Sequence, residues 1–144
     1  MALRIPLGIS DFRHLRREGM DYIDKSLLIR DIIDDTSALL LLPRPRRFGK
    51  TLNLSMLRYY FERPPAGEDR AALFHGLSIR SAGAHYRAHF GRYPVVSLSF
   101  KGVKQDRPEA CLAALHGKLQ QVYKEHQGLL AGDLLQPAER RDFL

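Results

Sequence analysis

Three segments of the chain carry apolar residues at the three- and four-residue spacing of an amphipathic helix. The first predicted helix begins at a cap formed by Asp24 or Ser26 and ends near Asp34. The second and third are predicted over residues 50–62 and 108–127. Two shorter helical stretches are predicted at residues 70–74 and 137–144.

Two other segments have the pattern of β-strands. Residues 38–42 are apolar at every position, as a strand buried on both faces of a parallel sheet requires. Residues 93–100 begin with β-branched side chains and then alternate apolar residues with serine. The alternation of helices and strands predicts an α/β fold: a three-layer parallel sheet flanked by helices, incomplete at its C-terminus.

Composition narrows the class of protein. The chain has 144 residues, 44% apolar and 27% charged, which is typical of one globular domain. Its apolar runs are far shorter than the roughly 20 residues of a membrane span, and no signal peptide is evident, so a cytoplasmic location is predicted. The net charge of +7 favours anionic partners, either nucleotides or nucleic acid.

A short polar motif stands between the first predicted strand and the second helix. Gly49, Lys50 and Thr51 open this helix, which is the setting of a phosphate-binding loop. The amides from Phe48 to Leu52 have no intrahelical acceptor and can bind an anion. Gly49 lets the backbone approach phosphate, Lys50 can reach β- and γ-oxygens, and the Thr51 hydroxyl can ligate Mg²⁺.

The motif departs from the usual phosphate-loop pattern, because Arg44 occupies the position of the first glycine. With Lys50, the arginines at 44, 46 and 47 place four cations within seven positions. They form either a solvated basic turn or a set of cations directed at phosphate. The predicted nucleotide-binding residues are Arg44, Arg46, Arg47, Phe48, Gly49, Lys50, Thr51 and Leu52, with ATP and Mg²⁺ as cofactors and Thr51 as the metal ligand.

Ordered blocks of the chain resemble a known family. They read GISDF at residues 8–12, YIDKS at 22–26 and RPRRFGKTLNLSML at 44–57. The sequence resembles the predicted AAA-ATPase-like family of prokaryotic P-loop proteins over about residues 5–104. In that family arginine is the usual residue at the position of Arg44.

The resemblance implies ATP binding with magnesium, and a division into a lead-in segment over residues 1–36 and a partial P-loop core over 37–144. Family members commonly carry a C-terminal nuclease-like domain, through which the full-length protein would meet nucleic acid. Hydrolysis in the family needs a Walker B carboxylate pair, which is expected beyond this chain, since Lys101 and not a carboxylate follows the segment 94–100. The alternative is a nucleic-acid-binding or scaffold module without ATPase activity.

Three weaker patterns each have two interpretations. Residues 22–25 either contact the nucleotide or the loop, or simply cap a helix. His85 and His89 have the i, i+4 spacing of zinc ligands, but ordinary surface histidines fit the sequence better. Residues 59–61 can stack on bases, although core packing is favoured by their place in a helix.

Overall fold

The structure is a computed structural model that describes residues 6, 8–43, 45 and 48–128. The chain divides into two compact units, Met1–Val95 and Val96–Leu144. In its described part, the first unit contains four α-helices and two 3₁₀ helices. The α-helices are α1 (Phe12–Arg17), α2 (Leu27–Asp34), α3 (Lys50–Phe61) and α4 (Ala84–Arg87), and the 3₁₀ helices are Ala71–Phe74 and Ser78–Ser81. The second unit contains α5 (Pro108–Glu125).

The three long predicted helices are confirmed as α2, α3 and α5. The stretch predicted at residues 70–74 forms the first 3₁₀ helix, and the one predicted at 137–144 lies outside the described residues. Helix α1 was not predicted, because its six residues are too few to show a period. It begins where the Asp11 carboxylate accepts a hydrogen bond from the His14 amide at 2.7 Å.

The predicted parallel sheet is wrong. Within the described residues neither 38–42 nor 93–100 forms a strand, and one isolated bridge joins Glu62 to Tyr93. A strand persists only where a neighbouring strand accepts and donates its backbone hydrogen bonds. Of these two segments, within the described part of the chain, only Tyr93 makes such bonds: its amide donates to the Phe61 carbonyl at 2.9 Å, and its carbonyl accepts from the Arg63 amide at 3.0 Å. Their side chains stay largely in solvent, as the exposures of Leu39 (84%) and Phe100 (66%) show.

The core of the first unit is built by short helices that converge on α3. Phe74, fully buried, lies 5.2 Å from the ring of Phe12, 5.2 Å from that of Tyr60 and 5.7 Å from that of Phe90. The Tyr60 hydroxyl donates to the Tyr86 carbonyl at 3.0 Å. Core packing is thus confirmed for Tyr60, and this core fixes the orientation of α3.

The second unit is described through α5 and the segment before it. Proline at the first position of α5 suits a helix start, since its missing N–H would have had no partner there. Leu112 and Leu119 on this helix are 57% and 40% exposed. Among the described residues, no helix has the length and apolarity needed to cross a bilayer.

Candidate functional site

Helix α3 begins directly after a glycine with an unusual backbone. Gly49 has φ +72° and ψ +20°, the left-handed region that favours glycine. The first helical hydrogen bond runs from the Asn53 amide to the Gly49 carbonyl at 2.9 Å. The amides of Lys50, Thr51 and Leu52 precede that bond, so they have no acceptor within the helix and can bind an anion.

The predicted site residues fall into two groups. Those from Phe48 to Leu52 lie together at this helix end, with Lys50 and Thr51 exposed and Phe48 54% exposed. The Lys50 ammonium donates to the Pro45 carbonyl at 2.8 Å, so its side chain folds back over the preceding loop. Arg44, Arg46 and Arg47 lie outside the described residues, and their part in the site stays a prediction.

Two clefts of the first unit open beside Gly49 and Lys50. The first has a volume of about 510 Å³ and a mainly apolar wall that includes Tyr22, Ile23 and Phe48. The second, of about 350 Å³, is lined by Lys50 and several leucines. Both volumes suit a small organic ligand. Lys25 and Asn53 line both clefts.

The lead-in segment is tied to the second 3₁₀ helix by the Asp24 carboxylate. One oxygen of Asp24 accepts from the Ser26 amide at 2.8 Å, and the other accepts from the Ser78 amide at 2.8 Å and the Ser78 hydroxyl at 2.7 Å. The buried Ser26 hydroxyl accepts from the Ile79 amide at 3.1 Å. Asp24 and Ser26 therefore join two distant parts of the sequence.

Tyr22 anchors the same segment to the core. Its ring meets Phe12 edge-on at 5.5 Å, and its hydroxyl donates to the Met56 sulfur at 3.3 Å. A tyrosine hydroxyl is protonated at neutral pH and can donate, and burial raises the pKa of Tyr22 further above its ordinary value. The segment 22–25 is thus held against α3 on the side of the clefts.

We expect acid to weaken the first unit as Asp24 becomes protonated. Partial burial acts to raise the pKa of this carboxyl, but hydrogen bonds from Ser26 and Ser78 outweigh it and lower the pKa to about 2. Because the folded pKa lies below the ordinary value, the carboxylate contributes stability above about pH 4, which is lost as the pH falls towards about 2. The side chain is largely exposed, so we expect a contribution of about 1 kcal/mol.

Urea unfolding of wild type and Asp24→Asn over this pH range checks the expectation. The wild type should have the higher free energy of unfolding at pH 7. The difference in this free energy between wild type and Asp24→Asn should disappear as the pH falls. Asp106→Asn, at an exposed aspartate of the second unit, is the matched control. A gap between wild type and Asp24→Asn that stays constant down to about pH 2 would contradict the assignment.

The histidines with zinc spacing do not line either cleft. His85 and His89 meet edge-on with ring centroids 5.4 Å apart, and His89 contacts the Tyr93 hydroxyl through Nδ1. Across the described residues, no three side chains of His, Cys, Asp or Glu are grouped to hold a metal ion.

Sequence reasoning missed Asn53 as a site residue, and left Lys25 with two interpretations. Asn53 follows Lys50 by three residues, so helical periodicity places both on one face. For Lys25 the signal was its place in the YIDKS block. Its proximity to Gly49, 24 residues later, depends on tertiary contacts.

A glycine-led helix end with a lysine, beside clefts of small-molecule size, is an arrangement typical of nucleotide-binding proteins. The sequence model of the family described as "Predicted AAA-ATPase" (AAA-ATPase_like) matches residues 6–134. The chain therefore belongs to the predicted AAA-ATPase family, which confirms the resemblance and indicates nucleotide binding in general.

One curated relative is the "Uncharacterized protein in vnfD 5'region" of Azotobacter chroococcum mcd 1. It is 37% identical over 101 residues, which cover 69% of this chain and 17% of the relative. The chain thus matches only a small part of that relative's length. No solved structure matches the chain.

Proposed function

We propose that the N-terminal end of α3 and the clefts beside it bind ATP together with Mg²⁺. The observation that carries the proposal is the start of α3 at the left-handed Gly49, where Lys50 follows directly and the amides of Thr51 and Leu52 have no acceptor within the helix. Family membership supports nucleotide binding in general. The mainly apolar wall of the larger cleft suits a planar base, and the helix end suits phosphate.

Lys50 would change partners when nucleotide binds. Its ammonium now donates to the neutral Pro45 carbonyl at 2.8 Å. A phosphate oxygen carries charge, and hydrogen bonds between charged partners are roughly twice as strong as neutral ones. We therefore expect Lys50 to leave the carbonyl for the phosphate, which makes its side chain the main cationic contact in the proposal.

The Thr51 hydroxyl fits a role in holding Mg²⁺. It lies in the first turn of α3 and is exposed, next to the amides proposed to bind phosphate. Mg²⁺ takes oxygen ligands and is usually held by one or two protein oxygens together with phosphates and water. The ion would neutralise phosphate charge there. Hydrolysis belongs to the proposal for the whole protein, in which a Walker B carboxylate would activate water.

Equilibrium binding of ATP with and without Mg²⁺ tests the proposal. Wild type should bind ATP more tightly with Mg²⁺, and Lys50→Ala should weaken binding by about tenfold or more, since a charge-assisted contact is lost. Lys104→Ala, at an exposed lysine of the second unit, is the matched control and should bind as wild type does. Circular dichroism of each variant establishes that it is folded.

Two results would contradict the proposal. One is unchanged ATP affinity in Lys50→Ala. The other is weakening by both lysine variants together with a steep loss of binding as salt rises, which is the behaviour of a surface that binds a nucleic-acid backbone through counterion release.

A further inference from the structure

Lys25 lies beside the proposed phosphate site although 24 residues separate it from Gly49. Its ammonium nitrogen is 3.9 Å from the point where a β-carbon on Gly49 would stand. Lys25 also lines both clefts that flank this helix end. A second cation therefore lies at the place where Lys50 and the first turn of α3 meet the clefts.

The backbone around Lys25 is held from both sides. On one side, the Tyr22 ring packs on Phe12, and the Tyr22 hydroxyl accepts from the Lys25 amide at 3.4 Å. On the other side, Ser26 is buried and bonded to Ile79. The backbone at Lys25 is thus fixed by its neighbours. Binding a ligand through this side chain therefore requires no ordering of the backbone, which lowers the entropy cost of binding.

The charge of Lys25 is open to a ligand. Asp21 lines the first cleft and Asp31 the second, but no ion pair joins Lys25 to a carboxylate within the part of the chain that the structure describes, and its side chain is exposed. A lysine ammonium has three donors and is a compact point charge, suited to oxygens that belong to more than one phosphate. Two lysines facing one helix end favour a ligand that carries several negative charges.

We propose that Lys25 is a second phosphate contact that makes the site selective for nucleoside di- and triphosphates over monophosphates. The inference rests on the proposed function and deepens it. In this arrangement Lys50 and the α3 amides bind phosphate from the loop side, and Lys25 binds it from the lead-in segment. The lead-in segment then takes part in recognition as well as in packing.

Affinities for ATP, ADP and AMP test the proposal in wild type, Lys25→Met, Lys25→Arg and the control Lys104→Met. Methionine keeps the apolar stem of lysine and removes the charge. We expect Lys25→Met to weaken ATP and ADP binding by about tenfold and AMP binding by less, so the preference for ATP over AMP falls. Lys25→Arg should keep most of the preference, and Lys104→Met should match wild type.

The outcomes separate this inference from the proposed function. If wild type binds ATP, Lys50→Ala weakens it, and Lys25→Met leaves both the ATP affinity and the ATP-to-AMP preference unchanged, the role of Lys25 is wrong and the proposed function stands. If folded wild type binds no nucleotide, both are wrong. Equal weakening of ATP, ADP and AMP in Lys25→Met would also overturn the inference, because it would indicate a contact that does not depend on the number of phosphates.

Discussion

Phe74→Ala is expected to lower the free energy of unfolding of the first unit by about 3–5 kcal/mol, the range measured for large aromatic residues replaced in protein cores. Phe74 is fully buried, and its ring contacts Phe12, Tyr60 and Phe90. Alanine would remove apolar area from the core and leave a cavity among rings that belong to separate elements, so the surroundings can close it only in part.

Urea unfolding followed by circular dichroism measures this effect. Phe48→Ala is the matched control: it is in the same unit, loses the same atoms and starts from a side chain that is 54% exposed, so we expect less than about 1 kcal/mol. A decrease in the free energy of unfolding for Phe74→Ala no larger than that for Phe48→Ala would show that Phe74 is not part of the core.

Arg70→Met is expected to destabilise the same unit by about 3 kcal/mol, because it leaves carboxylates without their main partner in a poorly hydrated site. Arg70 is 6% exposed, and its guanidinium donates to Glu62 at 2.8 Å and to Glu68 at 3.1 Å. Its carbon Cζ also lies 5.1 Å from the centre of the Tyr59 ring. We place the effect at the low end of the usual range, since Arg58 still pairs with Glu62 and Arg13 with Glu68.

The control for this variant is Arg63→Met, which removes an exposed arginine from the same unit and should change stability by less than about 0.5 kcal/mol. Arg70→Lys keeps the charge but loses the planar fork of the guanidinium. We therefore expect its free energy of unfolding to lie between those of Arg70→Met and wild type. Equal unfolding free energies for wild type and Arg70→Met at neutral pH would mean that the ion pairs of Arg70 with Glu62 and Glu68 add nothing to the fold.

The three long helices α2, α3 and α5 could be predicted from the sequence, whereas the sheet predicted from it was wrong. Helix α3 depends on hydrogen bonds within its own segment, so the spacing of its apolar residues and Gly49 before it were enough to find its start. A strand depends on a second segment, and the apolar run at 38–42 carries no information about whether that partner is present. The apolar side chains of this run predicted a buried segment, but in the described structure they are exposed.

Part of the candidate site could likewise be predicted from the sequence, and part of it depends on the tertiary structure. The sequence by itself determined the residues at the start of α3, because a glycine, a lysine and a threonine in order are a local feature with a local consequence for the backbone amides. Only the tertiary structure decided that Lys25 lies near Gly49 and that Lys25 borders both clefts. The physical reason is that this proximity comes from long-range contacts: the Asp24 carboxylate bonded to Ser78, and Tyr22 packed on the core of the first unit.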